Sequence, residues 1–293
     1  MIWALALPAF VLEAIFYASL ASERIRARFE RLPPYLFATM LTIAAVLPYC
    51  LATLAFGTFQ WRALASIAGL AGAVSFWYIL LPKKPAEDLL LLVFMTVVWL
   101  GKLFPMWYVC PYPKLYLPVL GQLMWFRTGL FAMLSIRRVK GVGFGFWPLT
   151  REWKIGVAHF AIFLPLAAVL AWAIGFAAPR VPPLGWEKTS LLAIGTFFGI
   201  LWVVALAEEF FFRGLLQQWL VAWTRSEWAG LIFASLVFGA VHVFYRLFPN
   251  WRLAALAALA GVCYGLAFRR ARSIRASMVT HALVVTTWKI FFA

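Results

Sequence analysis

Residues 190–216 read "SLLAIGTFFGILWVVALAEEFFFRGLL". From Ser190 to Ala207 the stretch carries no charge, and it approaches the roughly 20 apolar residues that a helix needs to cross a hydrocarbon layer about 30 Å thick. Glu208, Glu209 and Arg213 then stand among phenylalanines and leucines. The rest of the chain repeats the apolar theme. Of its 293 residues, 65% are hydrophobic, against about 45–50% in soluble domains, and the mean hydropathy is +0.91. Similar runs recur near 1–20, 35–56, 61–81, 88–104, 115–135, 154–177, 228–245, 251–268 and 276–292. The alternating ten-residue segments of a membrane β-barrel do not occur. The expected fold is all-α, a polytopic transmembrane helical bundle with about 8–10 membrane helices.

Proline and charge punctuate the connections, at "PKKPAED" (82–88), "PYPK" (111–114), "APRVPPLGWEK" (178–188) and "FPNWR" (248–252). The net charge of +16 follows from basic loops. Of the 26 Lys and Arg residues, 17 fall in one set of alternate loops and 8 in the other, with Arg127 inside a span. By the positive-inside rule the richer set faces the cytoplasm and both termini lie outside. No basic, aromatic-interleaved soluble segment exists, so nucleic acid is not an expected partner. The start, "MIWALALPAFVLEAIFYASL", lacks a basic leader and reads as a first membrane helix rather than a cleaved signal. Cys50, Cys110 and Cys263 show no metal-like spacing. Cys50 and Cys263 are expected to be small apolar fillers.

The longest basic, glycine-rich interruption is "RRVKGVGFGFWPLTREWK" at 137–154. It divides the chain into 1–140 and 141–293. Its "GVGFG" lacks the strand–helix setting and Lys-Ser/Thr of a phosphate loop and is expected to be a flexible connection. "GTFFG" (Gly195, Gly199) and "GVCYG" (Gly261, Gly265) are expected to let helices approach closely. The halves show no convincing repeat, which weighs against a transporter.

Ionisable residues inside apolar spans default to a functional hypothesis, because charge at mid-membrane costs about 2.5–3.5 kcal/mol on insertion scales. The carboxylates so placed are Glu13, Glu208 and Glu209; the histidines are His159, near a span start, His242 and His281. Glu209 and Arg213 are four apart, share a helix face and can pair. Glu208 lies about 100° around the helix, unsatisfied by that arginine and free to take or give a proton. The turn between this helix and the next falls at "TRSEW" (224–228). A straight antiparallel hairpin then sets 208 opposite 243 and 209 opposite 242, which brings His242 level with the carboxylates. Both lie far from the turn, so the hairpin must project beyond the bilayer or the site is not shallow. His281, in "ASMVTHALVV", needs a polar cavity or a helix–helix hydrogen bond.

"EEFFFR" (Glu208, Glu209, Arg213), "FGAVH" (Phe238, His242) and the late His281 match EExxxR, FxxxH and the C-terminal histidine motif of a known family, in that order. Over about 141–292 the chain resembles the CAAX-protease and bacteriocin-processing family, the CPBP or Abi group of intramembrane proteases. The resemblance implies an endopeptidase in which Glu208 and His242 activate a water, Glu209 and Arg213 brace the site with Phe238 beside them, and His281 stabilises the oxyanion. It implies a protease domain at 141–293, with N-terminal membrane helices of unknown role at 1–140. The substrate would be membrane-associated: a C-terminal sorting signal, a bacteriocin or a lipidated tail. No cofactor is expected, zinc being the alternative that two histidines and a glutamate would permit. Expected partners are that peptide and the lipid bilayer, and the expected location is a bacterial inner membrane. The family has Asn or Asp four residues after the last histidine, where this chain has Val285. Valine cannot donate a hydrogen bond, so Thr286, Thr287 or backbone must substitute, or the protein is a divergent member. The alternative function is a non-catalytic peptide-binding or bacteriocin-immunity protein of the same fold. A transporter finds support only in Glu13 and Arg127.

Overall fold

A computed structural model describes residues 2–112, 114–176, 185–245 and 248–292. Most of the expected connection at 178–188, through residue 184, and Pro113 of "PYPK" lie outside the described residues. The described residues are helical, with no β-strand among them, so the chain is a polytopic helical membrane protein. It divides into two compact units, Met1–Lys140 and Gly141–Ala293.

In the first unit the helices are α1 (Ile2–Ser19), α2 (Glu23–Phe29), α3 (Pro34–Ala55), α4 (Trp61–Leu80), α5 (Pro85–Leu100), α6 (Leu103–Trp107) and α7 (Pro118–Ile136). Proline stands in the first turn of α3, α5 and α7, where its missing N–H costs no hydrogen bond. The first turn of α5 also carries Glu87 and Asp88, favoured at the positive end of the helix dipole. Glu13 of α1 and Arg127 of α7 pair through two bonds, Nε to Oε1 at 2.8 Å and Nη2 to Oε2 at 3.0 Å. Nη2 also donates to the Ala44 carbonyl of α3 at 3.1 Å, and the guanidinium lies 5.0 Å over Phe16. Both side chains are buried, and each satisfies the other, so the two residues that supported a transporter form a structural tie. Glu13→Gln should lower stability by roughly 1–3 kcal/mol, read by thermal unfolding in detergent. It should leave ion permeability of reconstituted vesicles unchanged; abolished flux would restore the transporter reading.

The second unit contains α8 (Thr150–Ala173), α9 (Trp186–Thr224), α10 (Glu227–Val241, continued by a 3₁₀ turn His242–Phe244), α11 (Trp251–Ala271) and α12 (Ile274–Phe291). Side chains cap three of them: Ser226 accepts from the Ala229 amide, Asn250 from Leu253 and Ser273 from Arg275. Gly261 abuts Ser235, and Gly265 abuts Leu231 and Gln217, so "GVCYG" is a close-approach face against α10 and α9. "GTFFG" is not: Gly195 and Gly199 are exposed, with nothing near the position a Cβ would take. The segment expected to be flexible is instead strapped down. Val142 is buried, its carbonyl accepts from the Ile274 amide at 2.9 Å, and Ser273 Oγ donates to Gly143 O at 3.0 Å. Arg275 clamps Glu152 at 2.9 Å nearby. Gly143, at φ +59, fits only because it has no Cβ, which would strike Ser273.

The ten candidate runs are an upper bound on the expected 8–10 spans. Among the described residues seven helices are long and apolar enough to cross a membrane, or eight if α1 and α2, bent by 88°, form one broken span. The 88–104 candidate fails because α5 stops after 16 residues at Gly101, and Lys102 takes the left-handed conformation before α6. The 276–292 candidate, α12, is too polar for a lipid-facing span. Ser277, Thr280, His281 and Thr286 are buried inside the unit instead.

Candidate active site

α9 is 39 residues long, about 58 Å at 1.5 Å per residue. It is therefore longer than a 30 Å hydrocarbon layer is thick. Its winding changes around the two glutamates. Segments Ile200–Ala205 and Phe210–Gln217 are π-helical, and only Leu206–Glu209 between them is α-helical. Such wide turns are rare and occur frequently at functional sites.

The neighbouring glutamates have different surroundings. Glu209 is fully buried, whereas the Glu208 side chain is 34% exposed. Glu209 Oε2 accepts from Arg213 Nε at 3.2 Å, the expected i,i+4 pair. Its other oxygen, Oε1, lies 2.8 Å from His281 Nδ1. A carboxylate only accepts, so Nδ1 carries the proton there. The opposite nitrogen of the same ring, Nε2, stands 3.9 Å from Glu208 Oε2. That is too far for a direct hydrogen bond, and Glu208 Oε2 is a buried atom with no partner among the described residues. The two carboxylates thus diverge on α9 yet meet one imidazole from α12.

Phe238 connects this set to His242. Its ring lies edge-on to Phe212 at 4.9 Å and 5.2 Å under the Arg213 guanidinium, the pairing across the turn at Arg225–Ser226 that the hairpin register requires. The same ring is 4.6 Å from His242 and 6.0 Å from His281. His242 Nδ1 donates to the Phe238 carbonyl at 2.7 Å, so in the neutral ring Nε2 is left as an acceptor. Sequence reasoning missed Tyr264, which stacks on His281 at 4.6 Å and 12° and lies edge-on to Phe238 at 5.8 Å. The only signal was its place inside "GVCYG", which read as packing.

The zinc alternative would draw on Glu208, His242 and His281. Both Glu209 oxygens are committed to Arg213 and His281, and among the described residues no three His, Cys, Asp or Glu side chains are disposed to hold an ion. On the oxyanion side, Val285 lies about 40° around α12 from His281, whereas Thr286 and Thr287 lie about 140° and 120° away, on opposite sides. The threonines expected as substitutes turn from the site. Thr286 Oγ1 is buried without a partner among the described residues.

A helical integral membrane protein with a buried glutamate–arginine–histidine centre is the class that fold and site define. Residues 189–287 match the family model described as type II CAAX prenyl endopeptidase Rce1-like, which supports the likeness to the CAAX-protease (CPBP) family over that stretch. All six residues named for the site fall inside the match. That family is one of CAAX-type intramembrane endopeptidases, so the match points to protease activity in general. No curated protein and no solved structure matches the chain.

Proposed function

We propose that the unit Gly141–Ala293 hydrolyses a peptide bond of a membrane-associated substrate with a water activated by Glu208 and His242. The observation that supports this best is the unpaired Glu208 Oε2 facing His281 Nε2 across 3.9 Å. Two polar atoms so placed can both bind one small group, a water or a substrate oxygen, at ordinary hydrogen-bond lengths. Glu208 is the reachable carboxylate of the pair and acts as general base. His242 Nε2 shares the proton and returns it to the leaving amine. Attack converts the peptide carbonyl into a tetrahedral oxyanion, toward which the protonated His281 donates through Nε2. Glu209 supports that charged ring from the Nδ1 side, Arg213 holds Glu209, and Phe238 spaces the two histidines. Collapse of the intermediate releases a carboxylate and an amine. The reaction needs no metal. The substrate is a C-terminal sorting signal, a bacteriocin or a lipidated tail, and the site of action is a bacterial inner membrane.

The test compares the termini of membrane peptides, by mass spectrometry, between cells carrying the wild-type chain and cells carrying Glu208→Gln. Fragments present only with the wild type identify the substrate; their persistence with the variant removes Glu208 from the mechanism. A zinc chelator should leave the purified activity unchanged.

Val285 favours a second reading, a non-catalytic peptide-binding or immunity protein. The two separate on a gain-of-function variant. Val285→Asn restores a donor on the His281 face and should raise turnover at least about tenfold, since one such donor is worth about 10²–10³. Cleavage by neither protein would favour the binding reading.

A further inference from the structure

His159 is the one histidine that the proposed chemistry leaves unused. It is 7% exposed, on α8, and its Nδ1 donates to the Ile155 carbonyl at 2.8 Å. The ring lines a crevice of about 330 Å³ with Glu227, Trp228, Leu266, Arg269 and Arg270, at the meeting of α8, α10 and α11. We infer that this crevice binds the phosphate of an anionic phospholipid headgroup.

Charge comes first. Glu227 is already shared by Arg269 at 2.6 Å and Arg272 at 3.2 Å. Arg270 is exposed, and Arg151 leans on the Arg270 carbonyl at 3.3 Å; neither meets a carboxylate among the described residues. Arg269, Arg270 and Arg272 therefore outnumber the one acid at the crevice, and the surplus is positive. Arg272, paired with Glu227, ends α11 at φ +56, a left-handed position where glycine is the unstrained residue. A cation at a helix C-terminus also meets the negative end of the dipole.

The crevice also has an apolar side, which marks the source of the phosphate. Leu266 and Trp228 line it, and Trp228 is 60% exposed, beneath Arg269 at 4.5 Å. Tryptophan beside arginine is the composition of the headgroup layer, and basic pockets between membrane helices on the cytoplasmic side suit lipid head groups. A free phosphate has no use for the apolar wall; a lipid lays its glycerol and acyl chains along it.

The full chain, purified in neutral detergent, can be titrated with phosphatidylglycerol, phosphatidylcholine and inorganic phosphate, and bound lipid counted by native mass spectrometry. Phosphatidylglycerol should be retained in preference to phosphatidylcholine. Arg270→Gln, at an exposed position that cannot unfold the core, should weaken retention about fivefold, one cation's share of attraction at a membrane surface. His159→Gln should weaken it too, while Arg62→Gln, in the first unit, should not. Unchanged retention in both crevice variants, equal retention of the two lipids, or displacement of lipid by inorganic phosphate at like concentration would each overturn the inference.

Discussion

Glu208→Gln should lower kcat on the substrate by about 10²–10⁴, the usual worth of a positioned general base, while the melting temperature in detergent stays where it is. The amide keeps the shape of the carboxylate and loses the ability to take a proton. Little stability rides on the change, because Glu208 Oε2 bonds to nothing among the described residues and the side chain is 34% exposed. A surface-like substitution of that kind stays within about 0.5 kcal/mol. Binding should survive as well, so the loss should appear in kcat with KM little changed, the mark of an interaction made only in the transition state. The assay is steady-state cleavage of the peptide identified by comparing membrane-peptide termini. A variant that keeps more than about a tenth of the wild-type rate would remove Glu208 as the base.

The division of labour between Glu208 and Glu209 was half legible in the sequence. Helical spacing alone pairs Glu209 with Arg213, because residues four apart share a face. The hairpin register likewise follows from a short turn, and the Arg213–Phe238 contact obeys it. The bond from His281 to Glu209 was out of reach. It joins residues 72 apart, and it depends on where α12 crosses α9, which the strap at 141–154 helps to set through Val142 and Ile274. That strap is glycine-rich and looked loose, because composition reports what a backbone can do and not which hydrogen bonds hold it. The two GxxxG pairs carry the same lesson. "GVCYG" faces Ser235 and Leu231, and "GTFFG" faces outward, although the spacing is identical. The candidate runs outnumber the long apolar helices where a helix is short, as in α5, or carries buried polar residues, as in α12.

Glu209→Ala should unfold the second unit under conditions in which Glu208→Gln is stable, at a cost of about 3–5 kcal/mol. Arg213 is fully buried, and its only hydrogen bond among the described residues runs from Nε to Glu209. Both terminal nitrogens already lack partners, and the rings of Phe212, Phe238 and Tyr264 surround the guanidinium at 5.2–6.0 Å. Ring faces attract a cation only weakly, by about 0.5–2 kcal/mol, so they cannot replace a carboxylate for a charge with no access to water. The same substitution frees His281 Nδ1, so any protein that still folds should also lose activity. Thermal unfolding in detergent reads the stability, and the paired variant Glu209→Leu with Arg213→Met separates the causes. If the penalty is an uncompensated buried cation, removing both charges should recover most of the stability and none of the cleavage, since apolar replacements of a buried pair are often neutral or better. If the double variant stays as unstable as Glu209→Ala, the bond to His281 is what holds α12 against α9. A Glu209→Ala protein that melts with the wild type would mean that Arg213 finds another partner, and the two glutamates would no longer be divided into one that braces and one that reacts.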